Sequence, residues 1–173
     1  AFVAIVPAAD NWNIDLPESP DNAEWTEPPR VVERLHYRQD YVGFRDPGYT
    51  HLFVVPAESG TARQLTDGEW NVGAQFDGLF QGAGLSWMPN SEAIVFDGLN
   101  EPDADLVYLR SHIYSIDISS EKINQLTEQV GFWTSPEVSA DGRKIAYTGY
   151  PASDITYEMP RAYVMNVDGS DAY

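Results

Sequence analysis

His51-Leu-Phe-Val-Val-Pro-Ala-Glu-Ser-Gly-Thr-Ala-Arg-Gln-Leu-Thr66 aligns without a gap on His112-Ile-Tyr-Ser-Ile-Asp-Ile-Ser-Ser-Glu-Lys-Ile-Asn-Gln-Leu-Thr127, at an offset of 61 residues. His, Gln, Leu and Thr are identical at matching places, and Leu52/Ile113, Phe53/Tyr114 and Val55/Ile116 keep their apolar character. A third, shorter copy begins at Arg161-Ala-Tyr-Val-Met-Asn-Val-Asp-Gly169. Internal repetition at this period is the signature of stacked supersecondary units.

The stretches between these copies repeat as well. Leu85-Ser-Trp-Met-Pro-Asn-Ser-Glu-Ala-Ile-Val-Phe96 aligns with Pro136-Glu-Val-Ser-Ala-Asp-Gly-Arg-Lys-Ile-Ala-Tyr147 at an offset of 51. Each reads as strand, tight turn, strand. Asp141-Gly142 sits where a hairpin needs a residue tolerant of positive φ, and Asn90-Ser91 takes that place in the earlier copy. Joined, the two kinds of repeat give a four-stranded meander, with strands at about 85–88, 93–97, 112–117 and 123–127. The flanking unit before it takes 51–55 and 62–66 as outer strands, Phe2–Val6 as an inner strand and Arg34–Arg38 as an additional extended segment. No window shows the i, i+3, i+4, i+7 apolar spacing of a long amphipathic helix.

A small sheet that is apolar on both sides must be covered on both. Stacking such sheets around an axis satisfies this requirement. The expected fold is therefore all-β: an incomplete β-propeller of stacked four-stranded antiparallel blades. Its units fall at about 1–66, 85–127 and 136–173, the last truncated, with a crossing loop at 67–84. A β-sandwich would not need the same outer pair twice, and a β-helix repeats at a shorter period.

Composition sets the outer limits. The chain has 173 residues, with 27 Asp plus Glu against 10 Lys plus Arg, and a formal net charge of −17. Such a surface repels nucleic acid and anionic lipid. No apolar run is long enough to span a bilayer, and the opening Ala1–Pro7 is too short for a signal peptide, so the chain is expected to open inside folded structure. Without cysteine there is no disulfide framework and no thiolate metal site. The compartment stays open between periplasmic or secreted and cytoplasmic.

Chemical motifs are sparse. Gly84-Leu-Ser-Trp-Met88 lacks the second glycine of a nucleophile elbow. Gly78–Gly84 has neither the strand-turn-helix context nor the Lys-Ser/Thr of a phosphate loop. His51 and His112 occupy one repeat position, which implies a shared structural job, a ring hydrogen-bonded at the start of the third strand. They form no metal-like spacing with His36. Neither a catalytic residue, a cofactor nor a metal is expected within the chain.

Spacing places the elaboration at one end of the blades. Turns 57–61, 89–92, 118–122 and 139–143 are short, whereas 97–111, 148–160 and the crossing 67–84 are long and rich in Pro, Asp and aromatics. Loops on a rigid scaffold are where binding is usually carried. The candidate substrate or partner surface is therefore Trp70, Asp97, Asp103, Asp105, Trp133, Tyr150, Asp154, Tyr157, Glu158 and Arg161. Asp97, Glu101, Asp103 and Asp105 read as a solvated acidic loop. Trp12, Trp25, Trp70 and Trp133 read as loop aromatics available for contact, and Trp87, Phe96, Phe53, Tyr114, Tyr147 and Tyr163 as packing between blades.

Trp87-Met-Pro-Asn-Ser-Glu-Ala-Ile-Val-Phe96, Ser139-Ala-Asp-Gly-Arg-Lys-Ile-Ala-Tyr147 and Ala162-Tyr-Val-Met-Asn-Val-Asp-Gly-Ser170 resemble the repeat signatures of TolB-like, WD40-like (PD40) propellers. Arg34-Leu-His-Tyr-Arg-Gln-Asp-Tyr-Val-Gly-Phe44, His51–Pro56 and Arg63-Gln-Leu-Thr-Asp-Gly68 resemble the amino-terminal propeller of prolyl-oligopeptidase-family (S9) serine peptidases, in the acylaminoacyl-peptidase or dipeptidyl-peptidase-like branch. The resemblance implies a non-catalytic propeller portion that shields the active site of a C-terminal α/β-hydrolase domain and limits access to short peptides. The partners it implies are that domain, the missing blades of the same protein and short peptides, with self-association through open blade faces as a further expectation. A TolB-like protein-protein interaction propeller without an enzymatic domain is the rival reading.

Overall fold

The computed structural model describes residues 1–8, 17–23, 26, 30–45, 47–76, 79–80, 83–107, 109–155 and 157–173. Trp12 and Trp25, singled out above, and part of Gly78–Gly84 lie outside them. In chain order the strands are β1 (Phe2–Pro7), β2 (Arg38–Gln39), β3 (Gly43–Phe44), β4 (Gly48–Val54), β5 (Arg63–Gln64), β6 (Asn71–Val72), β7 (Gln75–Phe76), β8 (Leu79–Phe80), β9 (Leu85–Trp87), β10 (Ala93–Leu99), β11 (His112–Asp117), β12 (Ile123–Gln125), β13 (Gly131–Val138), β14 (Lys144–Pro151) and β15 (Arg161–Asn166). There is no helix among the described residues.

Three antiparallel sheets form three successive blades of an open propeller. The first has the order β1-β4-β5, and the third β13-β14-β15. The middle one is a full meander, β12-β11-β10 with β9 and β6 both on the far edge of β10. Residues 85–127 thus make one up-and-down sheet, as the repeat requires. In the third blade Tyr173 exchanges two backbone hydrogen bonds of 3.0 Å with Val164, which places it beside β15 as β12 lies beside β11.

Side-chain alternation explains the stacking. On β10, Ile94 and Phe96 face the first blade and cluster with its Leu52 and Leu65 and with Tyr114 and Ile116 of their own blade. Val95 faces the other way and meets Ile113, Ile145, Tyr147 and Met165. All of these side chains are buried. Each is worth roughly 1.5–3 kcal/mol when fully removed from water, so a blade gains this only with a neighbour on both sides.

One aromatic pair recurs across strands in all three blades. The rings stack at 5.4 Å for Phe2–Phe53, 5.7 Å for Phe96–Tyr114 and 5.6 Å for Tyr147–Tyr163. Such offset pairs add to simple area burial. Trp87, expected among the packing aromatics, is instead exposed.

The His-Thr repeat proves to be a latch. Thr66 Oγ1 accepts the Leu52 amide at 2.9 Å and lies 3.2 Å from His51 Nδ1. Thr127 Oγ1 accepts the Ile113 amide at 3.0 Å and lies 3.1 Å from His112 Nδ1. Gln64 and Gln125 each donate to the carbonyl of their own threonine, at 2.7 and 2.8 Å. Burial pushes the His51 pKa down against the opposing pull of Asp67 and Gly68, in keeping with a neutral ring.

Four local expectations need correction. Residues 34–37 turn rather than extend, and the short β2–β3 pair follows them. The first strand of the third blade begins at Gly131, before the 136 start read from the repeat, because a bulge between Thr134 and Glu137 breaks its register. The segment 67–84 is not merely a crossing, since β6 belongs to the blade and β7–β8 form a hairpin. At the turn between β9 and β10 it is Ser91, not Asn90, that takes positive φ (61°), matching Gly142 (69°). Asn90 contributes its side-chain oxygen to the Glu92 amide at 3.1 Å.

Candidate functional site

The connections between second and third strands of each blade all leave the same end: 8–47 from β1 to β4, 100–111 from β10 to β11, and 152–160 from β14 to β15. The turns at the opposite end close within a few residues. Two of the long connections are clasped together. Asp105 accepts Arg34 Nη2 at 3.0 Å and the Leu35 amide at 2.9 Å, with His36 Nδ1 at 3.5 Å. Arg34 also donates to the Gly48 carbonyl at 3.1 Å and lies over the Tyr49 ring at 4.4 Å. Burial pulls the Asp105 carboxyl upward, but the Arg34 hydrogen bond and charge, the Leu35 amide and His36 outweigh it and hold it below the ordinary aspartate range. The same connection carries Glu101, which faces Arg110 at 3.4 Å and His112 Nε2 at 3.7 Å.

Around this clasp the loops present apolar side chains to solvent. Leu35, Val42, Phe44, Leu106, Ile155, Tyr157 and Met159 are exposed, Tyr157 at 82%. Asp103, Asp154 and Arg161 are exposed and Glu158 half-buried. No hydrogen bond or ion pair joins Asp154, Glu158 and Arg161 among the described residues. Tyr150 stacks on Phe132 at 5.6 Å, and burial raises its hydroxyl pKa.

Three of the residues expected on this surface lie inside. Asp97 is fully buried on β10 rather than in a solvated acidic loop. Its carboxylate accepts the Ala74 amide at 3.1 Å, the Gly84 amide at 3.2 Å, the Ser135 amide at 2.9 Å and the Thr134 hydroxyl at 2.7 Å. Burial pushes this carboxyl up while the four hydrogen bonds pull it back. Trp133 is 2% exposed within β13, and Trp70 is 6% exposed just before β6. Each leans on the aromatic pair of its own blade, Trp70 at 5.8 Å from Tyr114 and Trp133 at 5.1 Å from Tyr163. Each anchors its ring N–H on a carbonyl at 2.7 Å, of Asp67 and Gln129 respectively.

The residues that organise the face, Arg34 and His36, were not singled out from sequence. The only signal for them is their place in the peptidase-like string 34–44, which carries no hint of Asp105. Among the described residues no group of three or more His, Asp and Glu could hold a metal ion.

Stacked meander sheets with elaborated loops at one end define a β-propeller domain. Residues 9–149 match the family of the dipeptidyl peptidase IV (DPP IV) N-terminal region, and the chain belongs to that family. Among solved structures, it is similar to TolB from Agrobacterium tumefaciens, with 22% identity and a TM-score of 0.50, covering 72% of this chain and 36% of that one. An oligogalacturonate lyase from Vibrio parahaemolyticus matches at 13% identity and a TM-score of 0.49, over 71% of this chain and 34% of its own. The chain thus spans about a third of the length of either structure. The likeness to TolB bears on fold alone. No curated protein matches the chain.

Proposed function

We propose that this chain is the non-catalytic propeller portion of a serine peptidase, whose long-loop face shields the active site and limits access to short peptides. The observation that carries the reading is the family match over residues 9–149. The catalytic groups belong to an α/β-hydrolase domain of the same polypeptide, against which the exposed Leu106, Ile155, Tyr157 and Met159 offer apolar contact. The Arg34–Asp105 clasp supports this role, because a screen excludes by size only if its loops hold fixed positions.

Two measurements test it. The chain by itself leaves aminoacyl and acylaminoacyl chromogenic substrates intact; turnover that survives replacement of every serine overturns the non-catalytic assignment. The full-length polypeptide cleaves short peptides and spares a folded protein, and deleting 152–160 admits larger substrates. Equal cleavage of peptide and folded protein by the intact polypeptide sinks the screening role. A full-length gene without a Gly-x-Ser-x-Gly elbow transfers the domain to the interaction propellers.

A further inference from the structure

The β7–β8 hairpin interrupts the first strand of the second blade. Its flanks, β6 and β9, pair with Gly98–Leu99 and Ile94–Phe96 of β10, leaving Asp97 opposite the interruption. In the third blade the corresponding first strand runs through with only the bulge at Thr134–Ser135, where Ser135 takes positive φ (55°). The hairpin leaves the sheet at the edge away from β12. In a propeller that is the inner edge, beside the central passage.

One carboxylate joins all of this. Oδ1 of Asp97 takes the amides of Ala74 and Gly84, the two ends of the insertion. Oδ2 takes the Thr134 hydroxyl and the Ser135 amide, the bulge of the next blade. The Asp97 carbonyl also accepts the Gly73 amide at 2.8 Å. The fit at Gly84 leaves no room for a side chain: an added Cβ would lie 2.6 Å from Pro136 Cδ and 2.7 Å from Ser135 Cα.

We propose that Asp97 is a positioning residue that sets the β7–β8 hairpin at the inner edge of the second blade and couples its placement to the third blade. The proposal stands apart from the peptidase reading, since it concerns how the insertion is held and not what passes it. A charged acceptor shared by four donors has no isosteric replacement, because an amide turns one acceptor into a donor facing donors. Removing it releases the insertion from both attachments at once.

The test is residue-resolved hydrogen exchange on the full chain, comparing Asp97→Asn and Thr134→Val with the parent. Asp97→Asn speeds exchange at Ala74, Gly84 and Ser135 about tenfold or more and lowers the backbone order of Gln75, Phe76, Leu79 and Phe80. The Leu52 and Ile113 amides, held by their threonines, keep their protection. Thr134→Val gives the same local pattern at smaller amplitude and decides the matter if Asp97→Asn fails to fold. Unchanged protection at Ala74 and Gly84, or equal acceleration at all five amides, overturns the proposal.

Discussion

At the scale of single residues, the two threonine latches carry the clearest energetic expectation. Thr127→Val keeps the shape of the side chain but strands the buried Ile113 amide, while His112 Nδ1 retains the Thr127 carbonyl at 3.0 Å. Leaving a buried donor unmade costs about 1–3 kcal/mol, so urea denaturation of Thr127→Val places its midpoint well below that of the parent. The Thr66→Val change does the same in the first blade. Two carboxyl groups have their pKa values displaced in opposite directions. Asp117 accepts the Ser120 and Ser119 amides and hydroxyls, which lower its pKa to about 2; its support of the fold is complete above the ordinary aspartate value of 3.8 and is lost as pH falls toward 2. Burial raises Asp97 above 3.8, so its ionisation works against the fold as pH climbs from 3.8 through its raised value. Carbon-detected carboxyl titration checks the pair: Asp117 shifts near pH 2 and Asp97 above pH 3.8, and the reverse order refutes the assignment. The latch was legible in the sequence because its partners lie within one hairpin and recur as His and Gln-Leu-Thr. The Asp97 contacts were not, because they come from the two ends of an insertion, 74 and 84, and from 134–135 of the next blade, none of which stands at a repeat spacing from 97.

At the scale of strands and turns, close approach of backbones decides which glycines are obligatory. Gly149 takes φ of +151°, and a Cβ there would sit 1.8 Å from the Phe132 carbonyl oxygen of β13. Gly43 also has positive φ, at +92°, but nothing lies within 4 Å. Alanine at 149 therefore strains the β13–β14 pairing and costs about 3 kcal/mol, while alanine at 43 costs about 1 kcal/mol. Thermal melts of the two variants, compared with the parent, check the ranking; equal shifts contradict it. The strands at about 93–97 and 112–117 are readable as short apolar runs bounded by turn residues, whereas Gly98 and Leu99, read as loop, extend β10. Trp70 and Trp133 were assigned to loops because β6 has two residues and β13 is broken by its bulge, too little regular pattern for a period of two to show. Their equivalence emerges only in space, where each indole covers a stacked pair.

At the scale of the whole molecule, the two outer sheets have no further blade against them among the described residues. Phe2 of β1, on the face opposite Val3 and Leu52, is 39% exposed, and Ala146 and Ala162 of the third blade are exposed on the side away from the second. A formal charge of −17 opposes the pairing of such faces by self-repulsion. Raising salt from about 0.01 M to about 1 M shortens the screening length from about 30 Å to about 3 Å. Sedimentation velocity then shows the average mass of the chain increasing with salt; a mass independent of salt argues that the faces do not associate.

The threonine latch has a consequence for how this architecture changes over time. Because every bond of the latch closes between residues fifteen or fewer positions apart, the outer hairpin 112–127 is a self-sealed cassette that asks nothing of its surroundings but an apolar floor. Duplication, loss or exchange of such cassettes leaves their internal wiring whole, so the number of blades is free to drift while each loop on the rim diversifies on its own.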